Sequence, residues 1–184
     1  MPVALQHSAH DRPESSGSAA SHSQSESIPG EWLESTFDHF ASRLQHDGLH
    51  TALGYLNSRT RFRYTGAYRL SPPLLRSIGI FDRENPALEL FAEVEMKTTY
   101  CSIVGETRTA LAVDNAETDS RVRTHPAREW FAAYCGVPLI GPTGEAFGTL
   151  CHYDARPRIE TVDHLELMHR VAPLVADYIL SREG

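Results

Sequence analysis

The chain has 184 residues, of which 41% are hydrophobic and 22% are charged, so it can bury one ordinary globular core but not two full domains with linkers. A formal net charge of -7 argues against a protein that binds nucleic acid through a basic face. No apolar run approaches the roughly 18 residues that span a bilayer, and no apolar segment near the first residue indicates a secretory signal, so we expect a cytoplasmic protein without a membrane partner.

Residues 1–28 are rich in Ser, His, Gln, Gly and Ala and have almost no large apolar side chains. Such a segment cannot bury enough surface to offset the entropy lost on ordering. The composition therefore predicts a disordered tail over residues 1–28 and a single folded domain over residues 29–184. The tail histidines have no Cys or carboxylate cluster beside them, so we expect no metal site there.

Two consecutive helices are predicted at the start of the domain. Leu33, Phe37, Phe40 and Leu44 recur at steps of four, three and four, which is the apolar stripe of an amphipathic helix. Gly48 is expected to interrupt this helix, and the stripe then continues to about residue 57.

A pair of strands follows the helices. Apolar and charged side chains alternate over residues 62–70, which is typical of a half-buried strand, and Gly66 suggests a bulge or a close backbone approach. After a Ser-Pro-Pro turn, a second strand is predicted over residues 74–81. We assign no structure to residues 87–98.

Short elements occupy the middle of the chain. A short helix is predicted over residues 99–107, with Thr98 or Thr99 as its N-cap. A strand is predicted over residues 110–113, and residues 121–132 favour a short helix or a structured loop.

A β-hairpin and a long helix complete the predicted elements. Residues 134–140 and 146–153 alternate on either side of a Gly-Pro-Thr-Gly turn. A final helix over residues 162–180 follows, with Thr161 as N-cap and a local disturbance at Pro173. The order of elements predicts an α+β domain with a central antiparallel sheet flanked by helices.

The hairpin resembles the terminal hairpin of GAF domains. That family repeatedly shows a Gly-Val-Pro-Leu strand, here residues 136–139, then a Gly-containing turn and a Gly-Thr-Leu strand, here residues 148–150. Residues 99–107 and 110–119 resemble the pocket-side helix and the strand that follows it in GAF domains. The resemblance extends over about residues 31–181.

The resemblance implies a fold and a function class. The terminal helices would pack on one face of the sheet, and the other face would enclose a ligand pocket. It implies a small-molecule-binding sensory module that signals through a protein partner or through self-association, with a homodimer formed by the terminal helices. Neither the ligand nor a cofactor is identified by the sequence.

Candidate ligand-binding residues are polar or amphipathic side chains on elements that should border this pocket, although each of them is also of a type that often packs in a core. They are Tyr100, Cys101, Arg128, Trp130, Tyr134, Cys135 and His152. No Ser-His-Asp arrangement, phosphate loop or paired-carboxylate motif indicates a catalytic residue.

The three cysteines, Cys101, Cys135 and Cys151, leave an alternative open. Catalytic cysteines occur in the GAF-related free methionine sulfoxide reductases, but the local sequences here do not reproduce that pattern. Buried cysteine is a common core residue, so we expect structural cysteines, with a thiol enzyme or a redox sensor as the alternative. Two sulfurs lying close together and facing an open pocket would favour the alternative.

Three further site types are not indicated. Metal sites usually show short spacings such as Cys-x-x-Cys, and none is present. Cys151-His152 is similar to the Cys-His pair of bilin-binding GAF domains, but that pair lies on a helix and this one on a predicted strand. The Asn-Lys and Asp-Glu dipeptides of the cyclic-nucleotide-binding GAF domains are absent.

Overall fold

A computed structural model describes residues 29–88, 92–159 and 162–183. The predicted tail at residues 1–28 and the predicted N-cap Thr161 lie outside the described residues. Among the residues described, none of the helices has the length and apolarity needed to cross a membrane.

Four α-helices are described: α1 (Pro29–His46), α2 (Leu49–Asn57), α3 (Cys101–Thr107) and α4 (Val162–Glu183). The predicted break at Gly48 is confirmed, and its φ of 85° is in the left-handed region that favours glycine. The predicted N-cap of α3 is wrong, because Tyr100 holds that position and makes no side-chain capping bond. The Thr99 hydroxyl instead donates to the carbonyl of Met96.

Six strands form one antiparallel sheet in the order β3-β2-β1-β6-β5-β4. They are β1 (Tyr64–Ser71), β2 (Leu74–Asp82), β3 (Glu93–Glu95), β4 (Leu111–Val113), β5 (Ala133–Ile140) and β6 (Ala146–Asp154). The predicted α+β class is therefore confirmed, and so is the hairpin, in which Tyr134 of β5 lies opposite Tyr153 of β6. The unassigned residues 87–98 contain β3, and residues 121–132 contain turns of 3₁₀ helix rather than an α-helix.

The sheet is buried on both faces, as alternating strands with apolar residues on each side predict. On one face, α1, α2 and α4 cover the larger core, which includes Phe40, Leu53, Val137 and Leu150. On the other face, α3 and the 3₁₀ turns cover a second core that includes Tyr68, Val104, Tyr134 and Cys151. We call these the helix face and the pocket face.

A buried polar chain joins four elements on the helix face. Asn57 Nδ2 of α2 donates to Thr65 Oγ1 of β1 at 2.8 Å, and Thr65 Oγ1 lies 2.7 Å from His152 Nδ1 of β6. His152 Nε2 in turn lies 2.9 Å from Nε2 of His164 in α4. Because the Thr65 hydroxyl already accepts from Asn57, it can donate to His152 Nδ1, which leaves the ring proton of His152 on Nε2, facing His164.

Both histidines of the buried polar chain, His152 and His164, favour the neutral state. Burial lowers the pKa of His152 well below its usual value, and the nearby His164 and Arg83 lower it further. Burial also lowers the pKa of His164 to about 4. Protonation of both rings would place two cations against each other away from water, so the folded state resists it.

We predict that acid weakens the fold through this histidine pair. The unfolded chain takes up protons on these rings below about pH 6.5, whereas the folded chain does not until about pH 4, so stability is complete above pH 6.5 and falls as the pH falls. For His164 alone the loss between pH 7.5 and 4.5 should be about 2 to 3 kcal/mol. Urea unfolding at the two pH values measures it.

His46→Gln is the matched control, because His46 is exposed at the end of α1. This variant should keep the pH dependence of the wild type, whereas His164→Gln should reduce it and leave the contribution of the buried His152. An unchanged free energy of unfolding in the wild type between pH 7.5 and 4.5 would contradict the role given to the pair.

Candidate functional site

A cavity of about 320 Å³ lies on the pocket face, between the sheet and α3. Its lining comes from β1, β2, β3, β5 and β6 together with the residues around α3 and the segment before β5. The lining residues are Tyr68, Leu75, Ile80, Ala92, Val94, Thr98, Thr99, Tyr100, Cys101, Trp130, Phe131, Tyr134, Cys151 and Tyr153.

Cys151, at the floor of the cavity, belongs to a row of three residues on adjacent strands. Cys151 of β6 lies opposite Gly66 of β1 on one side and opposite Gly136 of β5 on the other. A Cβ atom at Gly66 would lie 2.5 Å from Cε2 of Tyr68, and one at Gly136 would lie 2.6 Å from Cζ of Tyr134. The two tyrosine rings therefore fold over the glycines, and only Cys151 has a side chain in the row.

Each hydroxyl in the cavity wall already has a hydrogen-bond partner. Tyr68 and Tyr153 pair with each other at 2.6 Å, Tyr100 donates to the carbonyl of Phe131 at 3.2 Å, and Tyr134 donates to Cys101 Sγ at 3.4 Å. Thr98 and Thr99 donate to the carbonyls of Glu95 and Met96. In the Tyr68–Tyr153 pair only one hydroxyl donates, so the other keeps a proton that a ligand can accept, whereas the remaining wall hydroxyls already donate to the protein.

The wall also lacks acidic and basic side chains. No Asp, Glu, Lys, Arg or His is among the lining residues that the structure describes. Burial raises the pKa of Tyr100 to about 12 and raises those of Tyr68, Tyr134 and Tyr153 above the usual value, so all four phenols stay protonated near neutral pH.

Two thiols meet at the floor. Cys101 Sγ lies 3.9 Å from Cys151 Sγ, and the side chains are only 3% and 1% exposed. The pKa of Cys101 is lowered to about 7 by hydrogen bonds, of which the bond with Cys151 has the largest effect. Burial and the neighbouring Cys101 raise the pKa of Cys151 well above the usual value. When one proton leaves this pair, the other is therefore retained.

Four of the seven predicted ligand-binding residues line the cavity: Tyr100, Cys101, Trp130 and Tyr134. Arg128 does not; it is exposed, and its Nη1 donates to the carbonyl of Arg123.

Cys135 and His152 lie on the helix face instead of in the pocket. Cys135 Sγ is 3.7 Å from Sδ of Met168 in α4, and His152 belongs to the buried polar chain. The physical reason is the period of two in a strand: Tyr134 faces the cavity, so the adjacent Cys135 faces away from it.

The predicted ligand-binding residues do not include Cys151 or the tyrosines of the two central strands of the sheet, Tyr68 of β1 and Tyr153 of β6. The hairpin carried the necessary information for two of them, because the residues opposite Tyr134 and Gly136 share their face. Tyr68 was harder to place, because β1 and β2 change register between Ala67 and Tyr68.

The described parts of the chain show no candidate metal site. Across residues 29–88, 92–159 and 162–183, no three His, Cys, Asp or Glu side chains are grouped as ligands of an ion.

A sequence model described as the GAF domain matches residues 46–179 of the chain. A search of curated proteins finds no match.

Solved structures show the same fold at low sequence identity. The GAF domain from an Acinetobacter phosphoenolpyruvate-protein phosphotransferase matches with a TM-score of 0.64 at 12% identity, over 83% of this chain and 95% of that one. A free methionine-R-sulfoxide reductase from Neisseria meningitidis matches with a TM-score of 0.64 at 12% identity, over 86% of this chain and 95% of that one.

The chromophore-binding domain of a Stigmatella aurantiaca bacteriophytochrome also matches, with a TM-score of 0.66 at 11% identity, over 86% of this chain and 63% of that one. At these identities the similarities show the fold alone.

We predict that Gly136→Ala disturbs the cavity floor. The added methyl would overlap the Tyr134 ring, which must move away from Cys101 or strain its neighbours. Overpacking of this kind costs about 1 to 3 kcal/mol of unfolding free energy, measurable by urea denaturation.

Gly30→Ala is the control, because a Cβ there meets nothing within 4 Å. It should leave the unfolding free energy within about 0.5 kcal/mol of the wild type or raise it slightly. Equal effects of the two substitutions would show that the floor does not need a glycine at residue 136.

Proposed function

The chain belongs to the GAF domain family, and on that premise we propose that it is a sensory module that binds an uncharged, largely apolar small molecule in the cavity between the sheet and α3. The observation that carries the proposal is the lining of the cavity: aromatic and aliphatic side chains with no charged group among the described residues. A cavity of about 320 Å³ has room for a compact molecule of up to three rings.

The lining disfavours charged ligands for a physical reason. A phosphate or a carboxylate moved from water into this cavity would lose its hydration without gaining a cationic partner. A cyclic nucleotide carries such a group. Free methionine sulfoxide carries both an ammonium and a carboxylate, so this lining does not support the reductase alternative with that substrate.

The mouth of the cavity has its own apolar surface. Trp130 is 69% exposed and Val94 is 39% exposed, and both belong to the lining. An exposed indole beside an apolar cavity offers an entering aromatic molecule a first contact before it is fully desolvated.

We further propose that ligand occupancy is passed on through β6 to α4. Cys151 faces the cavity, and the next residue, His152, contacts His164 of α4 on the other face of the sheet. A displacement of β6 by a ligand would therefore move a contact of the terminal helix. The receiver would be a signalling partner in the cytoplasm, where three free thiols persist.

Self-association through α1 and α4 stays a prediction. The outward positions of these helices carry polar side chains, among them Glu34 and Arg170, which form an ion pair between the helices. A dimer on this surface would therefore be held by polar contacts and weakened by salt, which sedimentation equilibrium at two ionic strengths measures.

We predict that the protein binds N-phenyl-1-naphthylamine, an uncharged fluorophore with three aromatic rings. Its emission, excited directly, should rise on transfer into the cavity. The matched ligand is 1-anilinonaphthalene-8-sulfonate, which has the same rings and one added negative charge; it should bind at least about tenfold more weakly, because the sulfonate finds no partner.

Ile80→Trp, which fills the cavity from β2, should weaken binding of the uncharged probe by about tenfold or more. Ile159→Trp, at an exposed residue, should leave the affinity unchanged. Equal affinity for the two fluorophores, or wild-type affinity in Ile80→Trp, would refute the proposed function.

A further inference from the structure

The paired sulfurs at the cavity floor are placed for joint chemistry. Cys101 comes from the first turn of α3 and Cys151 from the middle of β6, and their Sγ atoms are 3.9 Å apart. Disulfide formation needs an S–S distance of about 2.0 Å, so a small approach of α3 to the sheet is enough to join them. Both residues line the cavity.

The sulfurs are reachable from one side only. Cys101 and Cys151 are almost fully buried against the protein, so a reagent meets them by entering the cavity. Cys135 is on the opposite face of the sheet, against Met168, and shares no surface with the pair. The chain thus contains its own control thiol.

The groups around the pair favour a nucleophilic sulfur at Cys101. The Tyr134 hydroxyl donates to Cys101 Sγ at 3.4 Å. The buried Thr149 hydroxyl of β6 is a further donor near the pair and, after Cys151, contributes to the lowered pKa of Cys101. Donors of this kind stabilise a thiolate and the oxyanion that leaves it.

We propose that Cys101 and Cys151 are a dithiol site that reduces an uncharged organic hydroperoxide bound in the cavity and is converted to an internal disulfide. The proposal rests on the proposed function, because the hydroperoxide enters the cavity as its apolar ligand. An apolar body fits the lining, and a terminal –OOH group is small enough to reach the sulfurs at the floor.

The chemistry balances over two steps. The Cys101 thiolate attacks the terminal oxygen of ROOH; the S–O bond forms, the O–O bond breaks, and the alkoxide takes a proton to leave as ROH. The Cys151 sulfur then attacks Cys101 Sγ; the S–S bond forms, the S–O bond breaks, and the hydroxide leaves as water with the Cys151 proton. Two thiols are oxidised, and one hydroperoxide is reduced to an alcohol and water. A small dithiol reductant restores the pair.

The test uses the reduced full-length chain and one equivalent of cumene hydroperoxide. The intact mass should fall by two hydrogen atoms, and the number of free thiols should fall from three to one. Hydrogen peroxide has no apolar group to bind in the cavity, so at the same concentration it should react at least about tenfold more slowly. Three free thiols after cumene hydroperoxide, or equal rates with both peroxides, would overturn the proposal.

Variants assign the disulfide to the pair. In Cys135→Ala, cumene hydroperoxide should still form the disulfide at the wild-type rate, and a digest should link Cys101 to Cys151. Cys101→Ala should abolish the reaction, whereas Cys151→Ala should stop at the sulfenic acid of Cys101, which dimedone traps. Loss of the disulfide in Cys135→Ala, with the variant folded by circular dichroism, would contradict the assignment.

Phenylarsine oxide, which binds two neighbouring thiols at once, tests the pair without any substitution. It should block the hydroperoxide reaction of the wild type stoichiometrically, and the intact mass should show one arsenical bound per chain. Continued oxidation of the arsenical-treated protein would count against the proposal.

One comparison separates this inference from the proposed function. If N-phenyl-1-naphthylamine binds the reduced protein but cumene hydroperoxide forms no disulfide, the dithiol chemistry is wrong and the binding function stands. If the probe does not bind the wild type, and Ile80→Trp forms the disulfide as fast as the wild type does, the hydroperoxide does not react through the cavity. Both proposals then fail.

Discussion

The pocket face depends on how closely side chains can approach the backbone of three neighbouring strands. Gly66, Cys151 and Gly136 form one row across the sheet, and the glycines leave space that the Tyr68 and Tyr134 rings occupy. With side chains at all three positions, the rings would be lifted into the space that is now the cavity. The row thus sets the depth of the cavity, the position of the Tyr134 hydroxyl and the exposure of the Cys151 sulfur to a ligand.

Buried polar groups have different roles on the two faces of the sheet. On the helix face, a chain of hydrogen bonds through Asn57, Thr65, His152 and His164 joins helices to strands. On the pocket face, each wall hydroxyl bonds a neighbour and only one proton of the Tyr68–Tyr153 pair stays available, so the surface that remains is largely apolar. Since Cys151 and His152 are consecutive, β6 is the element that both faces share, and this makes it the route by which the cavity can affect α4.

The fold could be predicted from the sequence because its signals are local. The apolar stripe of α1, the break at Gly48 and the alternation around the hairpin turn each depend on residues close together in the chain. Four residues that line the cavity could be named because the elements that carry them were predicted. Cys135 and His152 were misplaced because the period of two separates the two faces of a strand but does not say which face borders the pocket. The pairing of Cys101 with Cys151 joins residues from distant elements, and only the docking of α3 on β6 brings them together.

The central claim is that an uncharged molecule binds on the pocket face of the sheet, and methyl contacts test it most directly. In an isotope-filtered nuclear Overhauser experiment with ¹³C-labelled Ile, Leu and Val methyl groups, bound N-phenyl-1-naphthylamine should show cross-peaks to Leu75, Ile80 and Val94. It should show none to Val137, Leu139 or Leu150, which lie on the helix face. Cross-peaks to this second set, or to Leu44 and Leu174 between the terminal helices, would contradict the account.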